Sequence, residues 1–308
     1  MSRTHAWTPE PSVSRLGVVV FVLGMIWPSL SLALQVVAST SDLGAIAQEI
    51  GGRHISVETL CSANQDPHSF EIVPRMVLAV RRADLYLKVG AGLDYWTDDL
   101  LKAAGNGRLR VVDCSRGITL IHQEKGVKHG HGEHEAGNPH YWLGPVNIPV
   151  MAKNIAEGLE QADSNHAAEY EPSLARFVQR FDSAFATWKA TMLNCHGAKI
   201  ITYHRSWDYF TRDFEMEIVG TVEPHPGAEP SPETVALLED TIRREHVGLL
   251  LVEPFESDRL ARLLARDTGI SVVTLPPSVG GSAAGQKVFS WFDFLTREIS
   301  LHCAASQP

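Results

Sequence analysis

Short apolar runs alternate with helical stretches through the first third of the chain, stop, and resume in the last third. Leu34–Thr40 reads as a strand, and Ser41 as the cap of a helix that ends at Gly51-Gly52. Further strands are predicted at 55–60, 85–87 and 109–112, with helices over Pro74–Arg82 and 94–104. Strands that alternate with helices imply a parallel sheet covered on both faces. From 145 to about 193 the apolar positions recur at three-to-four spacing: Ile148, Met151, Ile155, then Leu174, Phe177, Phe181 and Phe185. A break at Asp163-Ser164-Asn165 divides this stretch into two helices, the second long enough to connect two lobes rigidly. The alternation resumes at 199–203, with strands at 217–222, 247–252 and 270–275 and helices over 232–244, 258–267 and 287–301. The fold class is α/β: two lobes with parallel sheets joined by one long helix. The expected divisions are an N-terminal lobe over 34–144, with a His-containing loop at 122–138, a helical region over 145–194, and a C-terminal lobe over 195–308.

The first 33 residues stand outside this scheme. Arg15 precedes an apolar run from Leu16 to Leu30, and Ser31-Leu32-Ala33 follows as a small-x-small cleavage pattern. This reads as a cleavable signal peptide. The run is short for a membrane anchor, and no Cys stands at the cleavage point to carry a lipid. The expected product is therefore exported and soluble. At 308 residues and 44% hydrophobic, the chain can build two cores. Its net charge of −9, without any basic stripe, argues against nucleic acid. Export implies an oxidising compartment. None of the four cysteines forms a C-x-x-C pair; Cys195 and Cys303 are candidates for a disulfide, and Cys61 and Cys114 for buried free thiols.

The chemistry is carried by three histidines in short Pro- or aromatic-flanked turns. They are His68 in Asp66-Pro67-His68, His140 in Asn138-Pro139-His140-Tyr141-Trp142, and His204 in Tyr203-His204-Arg205-Ser206-Trp207. Neutral imidazole is the commonest nitrogen ligand for zinc, and three of them leave one coordination position over. Roughly seventy residues separate each from the next, so only a fold can unite them. In open parallel sheets ligands bind beyond the carboxyl ends of the strands. His68 follows the second predicted strand and His204 the first strand of the second lobe, so both stand on such an edge.

These turns, with the Pro226-Gly227-Ala228-Glu229-Pro230-Ser231 run, resemble the periplasmic metal-binding components of ABC importers for zinc and manganese. The resemblance covers nearly the whole mature chain. It implies two Rossmann-like lobes, metal in the cleft between them, and His68, His140 and His204 as metal ligands. It also implies a cognate inner-membrane permease with its ATPase as partner of a monomeric protein. The segment holding His129, His131 and His134 resembles a short version of the His-rich loop of zinc-selective members. One departure stands out: Pro276 occupies the turn where many relatives keep an Asp. Water is the first candidate for the fourth position, with Asp66, Glu71, Glu223, Glu229 and His225 as alternatives. Losing a carboxylate while keeping three imidazoles favours Zn²⁺ over manganese or iron.

The leading expectation is capture of Zn²⁺ and its delivery to the permease. Two others compete with it. Three histidines and a water also make a zinc hydrolase site, but no H-E-x-x-H is present and no motif places a general base. Some relatives carry the names of adhesins.

Overall fold

The computed structural model describes residues 33–121, 137–223, 227 and 229–305. The expected signal segment up to residue 32, the histidines 129, 131 and 134, and His225 lie outside the described residues.

The first lobe runs β1 (Leu34–Thr40), α1 (Ser41–Gly51), β2 (Ile55–Cys61), α2 (Pro74–Arg82), β3 (Leu85–Lys88), α3 (Thr97–Ala104) and β4 (Arg110–Asp113). All neighbouring strands pair in parallel, in the order β2-β1-β3-β4. Val36 of β1 sits opposite both Val57 and Leu85, so the strand is hydrogen-bonded on both edges. Its side chains are buried at every position except Gln35. This is why it reads as a near-continuous apolar run rather than as an alternation.

Two boundaries differ from expectation. Ser41 lies inside the first turn of α1; Thr40 holds the N-cap position, without a side-chain cap bond, while still paired with Cys61 in the sheet. The third helix starts at Thr97 rather than 94. The Asp94 carboxylate accepts hydrogen bonds from the backbone N–H groups of Val89 and Gly90 at 2.7 and 2.9 Å, which closes a separate turn ahead of the helix.

Two helices follow, α4 (Ile148–Ala162) and α5 (Ala167–Thr191). Gly158 marks the place where α4 crosses β4: a Cβ there would come within 2.6 Å of Val112. The 25-residue α5 packs against α1 and α4 on one side, and on the other against α9 (Val288–Ala305). In its aromatic stripe Phe177 meets Phe289 of α9, Phe181 and Trp188 meet Phe292, and the Trp188 indole donates to Asp293 at 2.6 Å.

The second lobe runs β5 (Lys199–Thr202), α6 (Asp208–Asp213), β6 (Glu217–Thr221), α7 (Pro232–Glu245), β7 (Leu249–Val252), α8 (Asp258–Thr268), β8 (Ser271–Thr274) and then α9. The sheet order is β6-β5-β7-β8, again all parallel, so both lobes share one topology. In each, the strand order reverses beside the first strand, at β1/β3 and at β5/β7. One apolar cluster runs from β1 and β3 through α4 and α5 to β5, β7 and α9, so the lobes share a core.

Cys195 and Cys303 form a disulfide, Cα to Cα 5.3 Å, that ties the entrance of β5 to α9. Cys61 and Cys114 are buried free thiols. No helix among the described residues is long and apolar enough to cross a membrane.

Candidate metal centre

Each of the three histidines is placed by its own local device. Asp66 caps a 3₁₀ turn at Pro67–Ser69, its carboxylate accepting from the His68 backbone N–H at 2.8 Å. Pro67 at the first position of that turn fixes the backbone, since proline lacks the N–H that a turn start leaves unused. His140 precedes a buried turn over Tyr141–Leu143, which Tyr141 anchors by donating its hydroxyl to the Val89 carbonyl at 2.6 Å. His204 stands two residues past the end of β5, in extended conformation. That puts it at the strand reversal of the second lobe, whereas His68 follows the edge strand β2.

The fold brings all three together. Ring centroids are 5.0 Å apart for His68 and His140, 5.2 Å for His68 and His204, and 5.1 Å for His140 and His204. One ligand nitrogen from each lies within 4.8 Å of the others, and the Nε2 atoms of His68 and His140 are 3.0 Å apart. Tetrahedral zinc with Zn–N bonds of about 2.0–2.1 Å places its nitrogens roughly 3.3 Å apart, so small ring shifts suffice. His140 and His204 are buried and His68 is half-buried.

Two of the imidazoles have their far nitrogen occupied. Asn138, fully buried, accepts from His140 through Nδ1 at 2.8 Å and through the backbone N–H at 3.0 Å. Its amide donates to the Arg205 carbonyl at 2.7 Å, beside His204. An amide oxygen only accepts, so Nδ1 of His140 carries the proton and Nε2 presents its lone pair to the cleft. Glu223 does the same for His204, 3.1 Å from Nδ1, while its other oxygen accepts from the Gly227 N–H. Burial pushes the His204 imidazole toward its neutral form. The Glu223 hydrogen bond and the charges of Glu253 and Glu256 outweigh it and hold the imidazole above its ordinary value.

The cavity at this point encloses about 20 Å³, room for an ion or a water rather than an organic ligand. Among its lining residues are Asp66, Trp142, Glu223, Phe255, Glu256, Pro277 and Ser278. Of the fourth-ligand candidates, Asp66 and Glu223 reach it, but each carboxylate is already engaged as described. Glu71 and Glu229 are exposed and do not line it. The Pro276 turn contributes no carboxylate. Its carbonyls are spent on indoles, Pro276 accepting from Trp291 at 3.1 Å and Pro277 from Trp142 at 2.8 Å.

Two acids that the sequence reading overlooked stand here. Glu253 is fully buried directly after β7, where it accepts from the Trp207 indole at 3.0 Å; burial raises its carboxyl. Glu256 lines the cavity, pushed up to about 7 by burial and by the charges of Glu223 and Glu253. Their signal was available: Val252-Glu253-Pro254-Phe255-Glu256 leaves the carboxyl end of a central strand, on the edge where ligands bind. Three acids around one imidazole make a surrounding that favours a cation, whose arrival would help each of them to ionise.

Comparison with known proteins agrees with this geometry. Residues 36–300 match the family model ZnuA, described as zinc-uptake complex component A, periplasmic. The zinc-binding protein AdcA of Streptococcus pyogenes is 22% identical over 275 residues, covering 83% of this chain and 53% of its own. The chain thus spans about half the length of the curated relatives of that type. A putative metal-binding protein of Treponema pallidum is 25% identical over 249 residues, 79% of this chain and 78% of its own. A crystal structure of ZnuA superposes with a TM-score of 0.78 at 25% identity, covering 88% of this chain and 100% of its own.

Proposed function

Because the chain belongs to the ZnuA family of periplasmic zinc-uptake components, we propose that it captures Zn²⁺ and delivers it to an ABC-type permease with its ATPase. The observation that carries this reading is the triangle of His68, His140 and His204 around a cavity the size of one ion. Three nitrogen donors suit zinc, whereas manganese favours oxygen-rich six-coordinate shells. His68, His140 and His204 are the ligands. A water completes the shell, with the Glu256 carboxylate at the cavity wall available to accept a hydrogen bond from it. The export signal at 1–33 sends the mature chain to the periplasm.

Capture requires the imidazoles neutral and their Nε2 lone pairs aimed inward. Asn138 and Glu223 supply that tautomer by holding Nδ1 of His140 and His204. The negative wall behind His204 favours arrival of the cation and accepts the protons it displaces. The core shared between the lobes resists wide hinge opening, so release proceeds through movement of the ligand-bearing turns when the permease docks.

Isothermal titration with a competing chelator tests this. Replacement of His68, His140 or His204 by Ala is expected to reduce zinc affinity by two orders of magnitude or more. Unchanged affinity in any one variant removes that residue from the site. Zinc-dependent ester or peptide hydrolysis that vanishes in His68→Ala would replace the transport reading with a hydrolytic one.

A further inference from the structure

A second group of ligating side chains sits at the other end of the first sheet. His54 immediately precedes β2, while His166 and Glu169 belong to the start of α5. One ligand atom from each lies within 4.8 Å of the others. Nε2 of His54 is 3.0 Å from the Glu169 carboxylate, and the two imidazoles face each other with centroids 4.0 Å apart. We propose that His54, His166 and Glu169 form a second binding site for a zinc-class divalent cation on the outer end of the first lobe.

The surroundings of His166 support this. Its Nδ1 is 2.7 Å from the Asp163 carboxylate, and the Tyr170 hydroxyl donates to the same oxygen, also at 2.7 Å. A carboxylate that accepts a hydrogen bond from the N–H of one ring nitrogen leaves the other to bind metal, and such carboxylate–histidine pairs are the usual support of zinc ligands. Asp163 is itself held by a buried tyrosine, so the imidazole is fixed before any ion arrives. The side chains of His54 and His166 are only 15% and 19% exposed, whereas Glu169 is 53% exposed and gives the ion a route in. Two imidazoles and one carboxylate are a zinc donor set with a position left for water.

One group opposes binding. The Arg53 guanidinium lies 3.4 Å from Nε2 of His54. It is exposed, so it can turn into solvent as the cation enters.

This site is independent of the three-histidine centre. His54 and His68 stand at opposite ends of β2, whose seven residues span roughly 20 Å at about 3.3 Å each. No residue can serve both. An ion here would pin the first turn of α5 to the entrance of β2, and so fasten the long helix to the first sheet.

The test is calorimetric titration of the purified full chain with Zn²⁺ alone. The tight first equivalent reports the three-histidine centre. Beyond it, His166→Ala and Glu169→Gln are each expected to bind one equivalent fewer than the unaltered protein, whatever the 129–134 histidines contribute to both. Asp163→Asn should keep the equivalent but weaken it 10- to 100-fold, and Arg53→Gln should tighten it. If His166→Ala fails to fold, Glu169→Gln at an exposed position gives the same readout. A full complement of zinc at unchanged affinity in Glu169→Gln and His166→Ala would show that the cluster is an ion pair and nothing more. In either outcome the first equivalent is untouched, so the two readings stand or fall separately.

Discussion

Asp42 makes the contact between lobes a function of pH. It is a buried carboxylate at the start of α1, and it accepts a hydrogen bond at 2.9 Å from the backbone N–H of Val279, 237 residues away in the second lobe. Burial pushes its carboxyl up to about 7, against the opposing pull of the Val279 N–H and the Ser278 hydroxyl. The unfolded chain returns it to 3.8. Between these values the folded state binds more protons than the unfolded one, so stability falls as pH rises. The span is about 3 units, and at about 1.36 kcal/mol per unit the loss approaches 4 kcal/mol once pH exceeds 7. The contribution is whole below about pH 4. Asp42→Asn keeps the shape and the acceptor for Val279 while abolishing the charge. Urea unfolding of the metal-free protein at pH 5, 6, 7 and 8 measures both chains. The difference between them should change by about 2–4 kcal/mol across this range, with the Asn variant gaining toward pH 8. Parallel stability curves would refute the reasoning, because they would mean that Asp42 is solvated or its charge compensated in the folded state.

Asn138→Ala removes the acceptor that fixes the His140 tautomer. It should weaken zinc 10- to 100-fold in a chelator competition, with the fold retained by circular dichroism. Because the His204 imidazole is held above its ordinary value, protons compete for it and zinc affinity should fall as pH drops through that range. Glu223→Gln should shift this fall to lower pH, as followed by titration between pH 5 and 8. Breaking the Cys195–Cys303 disulfide by double Ser substitution opens a closure spanning 108 residues and should cost about 2–5 kcal/mol in denaturant unfolding.

Much of the fold was legible because its signals are local. Pro74 opens a helix and apolar periodicity runs to Arg82, and the structure returns Pro74–Arg82 as α2. The break at Asp163-Ser164-Asn165 separates α4 from α5. The Cys195–Cys303 pairing and the buried thiols at Cys61 and Cys114 agree as well. What escaped depends on partners distant in sequence. The six residues of α6 are too few for a periodic pattern to emerge; Tyr209 donates its hydroxyl to the Asn138 carbonyl, and Phe210 packs on Trp207 and Phe214. Asn138 reads as a turn residue until the fold sets Arg205 beside it. Asp42 reads as an ordinary helix-start acid until Val279 closes over it. Glu253 and Glu256 leave β7, one strand away from the Pro276 turn after β8, and only the assembled sheet sets them beside His204.

The two free thiols constrain how the molecule can be made. Cys61 ends β2 and Cys114 follows β4, and these are the opposite edges of a four-stranded sheet. Three strand spacings of about 4.8 Å hold them roughly 14 Å apart, twice the reach of a disulfide. Burial also pushes the Cys61 thiol up to about 12 and Cys114 higher than its ordinary value, which keeps both from the reactive thiolate form. In the unfolded chain neither protection exists, and Cys61 and Cys114 emerge ahead of Cys195 and Cys303 during synthesis. An oxidase that joins cysteines in order of appearance would pair them with each other and forbid the sheet. Correct biogenesis in an oxidising compartment therefore depends on timing. The first lobe must close its sheet before it meets the oxidant, or a disulfide isomerase must undo the error, so that Cys195 waits for Cys303 at the far end of the chain.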